Sequence, residues 1–302
     1  MSNGNWVTIA SFLFFLLGFV VIGALSMLKK KPTTSDYLIA NQSIKPWLAG
    51  LSGVATNNSG YMFTGMIGFT YEYGLSSIWL MIGWIIGDIV ASFTVMKPLR
   101  QATDKQHIHS YGDLISRWWG QHYQALQVIT GILILVFLGS YTAAQLNAGS
   151  KALHALFGWD ASVGAIIGAA MVLIYSFSGG LRASIWTDAA QSFVMIGSMS
   201  ILMIVALSNV GGWGGMMEQL YAVSPDYMNW FPKESTLVSA TLFIVGWVFA
   251  GAGAAGQPHI MARYMSLDDA NNINRMRFYY YTWFILFYSA TIVVGLLARL
   301  LL

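Results

Sequence analysis

Gly50-Leu51-Ser52-Gly53-Val54-Ala55-Thr56-Asn57-Asn58-Ser59-Gly60 is the stretch on which the fold turns. Most of its residues are Gly, Ser, Thr or Asn, yet it lies inside an apolar run over residues 47–70. Backbone of this composition leaves helical geometry readily, and its freed N–H and C=O groups then need partners. In a bilayer that is tolerated only where the backbone is buried in protein or lines a cavity. A second run, 236–262, repeats the pattern with Gly246, Gly251, Gly253 and Gly256, followed by Pro258. Proline removes a helical hydrogen bond and clashes with the preceding turn. Two interrupted spans, five spans apart, point to the paired broken helices of an inverted-repeat transporter. Simple glycine-mediated helix packing is the competing reading.

Composition sets the solvent. Of 302 residues, 56% are hydrophobic and 9% charged, against about 25% charged in soluble domains. A spanning helix needs about 20 mostly apolar residues, and eight runs qualify: 6–28, 47–70, 76–96, 124–156, 161–178, 187–209, 236–262 and 278–302. The first is not a secretory signal. Its leader, Met1 to Asn5, lacks positive charge, and Lys29-Lys30-Lys31 follows the apolar run instead of preceding it.

Lysine and arginine placement sets the orientation. With the N-terminus outside, the inner loops hold Lys29, Lys30, Lys31, Lys45, Lys97, Arg100, Lys105, Arg117, Arg182, Arg263, Arg275 and Arg277. Lys151, Lys233 and Arg299 remain outside, a split of 12 to 3. Eight spans would return the C-terminus to the outside.

Several function classes fall away. The net charge of +3 comes from scattered basic residues with no stripe to track phosphates, so nucleic acid is not an expected partner. There is no cysteine, which removes thiolate metal sites and disulfides. His107-Ile108-His109 has no carboxylate pair nearby and reads as a solvated loop. No nucleophile with a base, phosphate loop or metalloprotease motif supports an enzyme.

Two loops and one acid stand out. The inner loop 97–124 places Tyr111, Leu114, Ile115, Trp118 and Trp119 at near-helical spacing, with Asp113 and Arg117 on another face. That describes an amphipathic helix at the membrane interface. The outer loop 211–235 reads as a lid or surface connection. Asp88 lies inside the third span, where an acid is a functional candidate by default. A structural hydrogen bond is the favoured reading over a proton relay.

Four stretches together resemble the sodium/solute symporters, in their proline-symporter branch. They are Ala55-Thr56-Asn57-Asn58-Ser59-Gly60; His109-Ser110-Tyr111-Gly112-Asp113-Leu114 running to Arg117; Ser178-Gly179-Gly180-Leu181-Arg182-Ala183 with Trp186-Thr187-Asp188 and Gln191; and Gly256-Gln257-Pro258-His259-Ile260 with Arg263. The likeness covers essentially the whole chain. It implies an all-α, polytopic, five-plus-five inverted-repeat bundle in a bacterial inner membrane. Residues 6–28 would be a leading helix, 47–209 the first repeat and 236–302 the start of the second. It implies sodium-coupled symport of a small organic solute, such as an amino acid or related metabolite.

The resemblance also assigns residues. Sodium would be held by the backbone carbonyls at Ala55 and Asn58. Asp188 would help bind a second sodium, or would cap the start of span six against the helix dipole. The solute would meet Asn57, Ser59, Gly60 and Tyr61 on span two. Tyr141 and Gln145 on span four, four residues apart and so on one face, would face it. Phe249, Gly251 and Gly253 on span seven would complete the pocket. His259 would be structural.

Departures from the family pattern limit the carry-over. Asn57 stands where the proline symporter has an aspartate, and Ala250 and Ala254 stand where it has aromatics. That implies a roomier pocket and leaves proline unassigned as the substrate. The family closes its sodium site with hydroxyls from a later helix of the second repeat, so a chain ending at Leu302 is expected to be a fragment. A symporter-like membrane sensor and an inactive truncated product are the alternatives to a transporter.

Overall fold

A computed structural model describes residues 3–224, 226–232 and 235–302. Met1, Ser2 and Lys233, with the side chain of Ser178, lie outside the described residues. The described chain is helical: α1 Asn3–Ser26, α2 Thr34–Ile39, α3 Pro46–Asn58, α4 Tyr61–Tyr73, α5 Ile78–Ala91, α6 Lys97–Lys105, α7 Tyr111–Arg117, α8 Gln124–Phe157, α9 Ala161–Asn209, α10 Gly212–Val223, α11 Leu237–Ala252, α12 Pro258–Met265 and α13 Ile273–Leu301. The β-type pairing among the described residues is one isolated bridge, Ile44 to Leu267.

Local chemistry sets the ends. The side chains of Thr33, Ser110, Asp160 and Thr236 accept hydrogen bonds from the first-turn amides of α2, α7, α9 and α11, covering donors that lack a helical partner. Pro46 and Pro258 open α3 and α12, where a missing N–H costs nothing. Gly158, left-handed at φ 67, closes α8.

Six stretches are long and apolar enough to cross a membrane: Trp6–Lys29, Tyr61–Lys105, Gln124–Phe157, Gly179–Asn209, Leu237–Gly256 and Ala270–Leu301. The chain is a multi-pass membrane protein. The sequence suggests eight runs. Of these, 47–70 is divided between α3 and α4, and 161–178 lies in the first part of α9, where the described residues include the apolar helix Ser162–Ile174. Span six begins earlier than residue 187, at Gly179. The backbone of α9 leaves helical geometry at Gly180 (φ 57, ψ −150) and is helical again directly after it. A Cβ at Gly180 would stand 2.4 Å from the Tyr37 carbonyl oxygen, so both conformation and space require glycine.

The expected inner loops meet on one side. Ile44 N donates to Ser266 O and Asp268 N donates to Ile44 O, joining the α2–α3 and α12–α13 connections. Arg100 donates to the Leu267 carbonyl at 2.7 Å. Arg182 pairs with the buried Asp36 and donates to Ala40 O and Ser43 Oγ. The loop 211–235, expected as a lid or a surface connection, is fastened to α4 and α5. Tyr227 Oη donates to the carbonyls of Thr70 and Tyr71, each at 3.0 Å. Burial pushes that phenol up to about 12, so it stays a donor. Trp79 Nε1 donates to Trp230 O, and the Trp79 ring stacks on Phe231.

The helix expected at the interface is α7, with Leu114 buried and Arg117 paired to Asp113 at 2.8 Å; Trp119, 80% exposed, lies past its end. In the bundle, α13 packs against α3, α4 and α9, while α5 lies along α11. That last contact is unusually close. A Cβ on Gly87 would stand 1.8 Å from Val248 O, one on Gly83 2.7 Å from Trp247 Cβ, and one on Gly251 2.0 Å from Trp84 O. Small residues let membrane helices approach to backbone contact. Gly87→Val is therefore expected to force the pair apart and cost about 1–3 kcal/mol. Gly246→Ala, with nothing within 4 Å of its Cβ, is expected to be neutral. Thermal stability in detergent, followed by size-exclusion chromatography, separates the two; equal losses would refute the close-packing account.

Candidate functional site

Both predicted breaks are present, and each has a side chain that takes up its freed backbone. In span two, α3 ends at Asn58 and Ser59 adopts φ 50, ψ −173 before α4 begins. The Gly60 amide donates to Gln145 Oε1 of α8 at 2.8 Å. In span seven, α11 gives way to a 3₁₀ turn, Gly253–Gly256, then to an extended Gln257. There Tyr111 Oη of α7 donates to the Ala255 carbonyl at 2.7 Å. Its half-buried phenol is raised above the ordinary tyrosine value by desolvation and so keeps its proton. Sequence reasoning placed Tyr111 in an amphipathic helix and in the second motif, without a role at the break.

The C-terminal end of α3 matters chemically. The carbonyls of Ala55 through Asn58 occupy its last turn, where an α-helix runs out of its own donors. This end of a helix carries partial negative charge and favours a cation. Asn58 is 4% exposed, and its amide nitrogen makes no hydrogen bond.

Asp188 lies two turns past the Gly180 break, inside α9, so it does not cap a helix start. It accepts from Ser52 Oγ at 2.7 Å and pairs with Arg263 at 2.9 Å. Thr56 Oγ1 and Ser184 Oγ stand 3.4 Å from the same oxygen. Arg263 also donates to Ser52 Oγ, Ser184 Oγ and His259 O. One buried arginine thus ties α12, just after the second break, to α3, just before the first. The third and fourth motifs of the sequence meet in this network.

The residues assigned to the solute do not all converge. A cavity of about 150 Å³ is lined by Asn57, Asn58, Ser59 and Tyr61, together with Met62, Trp84, Trp247, Phe284 and Tyr288. Gln145 reaches the break at Gly60 instead of the cavity lining. Tyr141, one turn away, packs at a tilt against His259 at 5.2 Å, neighbours Ser59, and lines a separate, larger groove with Tyr111, Phe137 and Gln257. Phe249 is 74% exposed and points away. Gly251 is packed against the Trp84 backbone, and Gly253 meets nothing within 4 Å. Trp84 and Trp247, 6.1 Å apart, give the cavity aromatic walls. A tryptophan inside an apolar span reads as core in a sequence, which is why both escaped notice.

With this geometry established, the comparisons decide the family. The profile of the sodium:solute symporter family matches residues 37–302.

The chain belongs to the sodium:solute symporter family.

This is a family of transporters. The chain is similar to the sodium/proline symporter of Staphylococcus aureus strain bovine RF122 / ET3-1, at 31% identity over 295 residues. The protein of that name from strain COL matches equally, at 31%. Each alignment covers 97% of this chain and 56% of the relative, so the chain spans little more than half the length of these symporters. Among solved structures it is similar to a substrate-bound, outward-open Na⁺-coupled sialic acid symporter, with a TM-score of 0.83 at 19% identity. That match covers 97% of this chain and 60% of the other. The fold is the all-α inverted-repeat transporter fold.

Two substitutions probe this polar frame. Arg263→Ala leaves Asp188 without a counter-charge and is expected to cost about 3–5 kcal/mol, with Arg263→Lys intermediate. Gln145→Leu leaves the Gly60 amide unpaired, at about 1–3 kcal/mol. Melting temperatures in detergent measure both; unchanged values would show that neither contact holds the breaks.

Proposed function

We propose that this chain belongs to a sodium-coupled symporter of a small organic solute, such as an amino acid or related metabolite, in a bacterial inner membrane. The observation that carries this reading is the pair of broken helices, each held open by a dedicated side chain, the first beside the aromatic cavity and the second beside the groove of Tyr111 and Gln257. Sodium is a hard cation, and the carbonyls at Ala55 and Asn58 offer oxygen ligands without a buried charge. Asp188 adds a carboxylate whose charge Arg263 balances. Asn57, Asn58 and Ser59 supply polar contacts, and Trp84, Trp247, Tyr61 and Tyr288 supply apolar walls. That combination suits a compact solute with one polar end. Membership of the family and the names of the relatives support sodium as the coupling ion.

We place the first repeat at 47–209 and the start of the second at 236–302, because each then opens on a broken helix. An inward-negative potential contributes about 2.3 kcal/mol per charge per 100 mV to uptake.

The test is uptake of labelled amino acids by the full-length protein in proteoliposomes. Uptake is expected in sodium buffer under an inward-negative potential and not in choline buffer, and Asp188→Asn is expected to weaken sodium dependence. Equal uptake in the two buffers would sink the symport reading. Orientation has its own test, helped by a chain without cysteine. With the N-terminus outside, an impermeant maleimide is expected to label Gly214→Cys in intact cells and to spare Lys105→Cys. The reverse pattern would invert the topology.

A further inference from the structure

Asp88 is fully buried in α5, with the hydroxyls of Tyr280 and Tyr281 as its nearest hydrogen-bonding groups. Neither carboxylate oxygen receives a hydrogen bond of full geometry. Asp36 and Asp88 are the fully buried acids among the described residues, and Asp36 has Arg182 while Asp88 has no ion pair. The groups facing it come from four elements. Tyr264 on α12 and Tyr280 and Tyr281 on α13 are its electrostatic neighbours. Asn57 of α3 donates to Tyr280 Oη at 2.6 Å. Arg277 of α13 is the cation of this region, and its guanidinium is engaged by Ser92 and Asn274 and stacked over Phe93. The remaining neighbour, α11, carries no titratable side chain.

Several oxygens here are buried without partners: both of Asp88, the hydroxyls of Tyr264 and Tyr281, and Asn57 Oδ1. Tyr264 is 0% exposed. All are hard oxygen donors. Water bridging them would satisfy hydrogen bonds and leave the charge uncompensated, and an isolated buried charge costs several kcal/mol. A single positive charge meets both needs. The cluster also communicates with the solute cavity, since Asn57 lines it and Trp84, one turn before Asp88 on α5, forms its wall.

We propose that Asp88, with the hydroxyls of Tyr264, Tyr280 and Tyr281 and the Asn57 amide oxygen, forms a binding site for one monovalent cation, separate from the carbonyls at Ala55 and Asn58. The cation is supplied either as sodium or as a proton. Occupancy of this site then senses the cavity through Asn57.

Equilibrium binding of radioactive sodium to the purified full-length protein, with infrared spectra of its carboxyl groups across pH, tests this without requiring transport. Asp88→Asn is expected to bind one sodium equivalent fewer than the unaltered protein if sodium fills the site. If a proton fills it, sodium stoichiometry is unchanged, and a protonated-carboxyl band that titrates in the unaltered protein is absent from Asp88→Asn. Equal sodium binding with no such band overturns the proposal, whether or not uptake proves sodium-dependent. Should Asp88→Asn fail to elute as a single species, Tyr281→Phe carries the test. Removing one hydroxyl ligand is expected to weaken sodium binding about tenfold or move the band's titration by about one pH unit. No change in either overturns the proposal.

Discussion

Backbone polar groups inside a bilayer must be satisfied by protein, at several kcal/mol for each one left open. That constraint organises this molecule around two places where it is deliberately strained. The chain opens a helix at Ser59 and again at Gly253–Gly256, and each opening recruits a side chain from elsewhere. Gln145 comes from α8 and Tyr111 from α7. The long apolar α8 and the short interfacial α7 thus have positions fixed by what the breaks require. The Arg263–Asp188 pair, with Ser52 and Ser184, then joins the flanks of the two breaks.

Much of the fold was legible because its signals are compositional. Apolar run length found the spans, and the Gly, Ser, Thr and Asn content of residues 50–60 found the first break within a residue or two. Charge asymmetry grouped Lys45, Arg100 and Arg182, and the structure brings their loops together through Ile44, Leu267 and Asp268. Between the runs 161–178 and 187–209 the break falls at Gly180. One residue with φ 57 redirects the chain, and no periodicity announces it.

The site was legible only in part, for a different reason. Residues close in sequence, Asn57, Asn58, Ser59 and Tyr61, stay together at the cavity, while Gly60 turns its amide to Gln145. Residues inferred from other helices depended on rotation about the helix axis, which spacing alone does not fix. Phe249 and Trp247 are two positions apart on α11, and the cavity takes Trp247. Tyr141 and Gln145 share a face, yet one reaches His259 and the other Gly60. Arg263 was recognised as part of a motif, but its partnership with Asp188 joins α12 to α9 across 75 positions of chain.

The glycine contact between α5 and α11 has a mechanical meaning. Gly83, Gly87 and Gly251 bring the two backbones so close that neither helix slides past the other without collision. The pair behaves as one strut. The strut stops at the turn Gly253–Gly256, beyond which α12 is fastened to α3 and α9 by Arg263. Span seven is therefore one helix in sequence and two parts in mechanics, α11 riding with α5 and α12 with α3 and α9. A relative movement of those two bodies concentrates its bending in the few glycines that separate them.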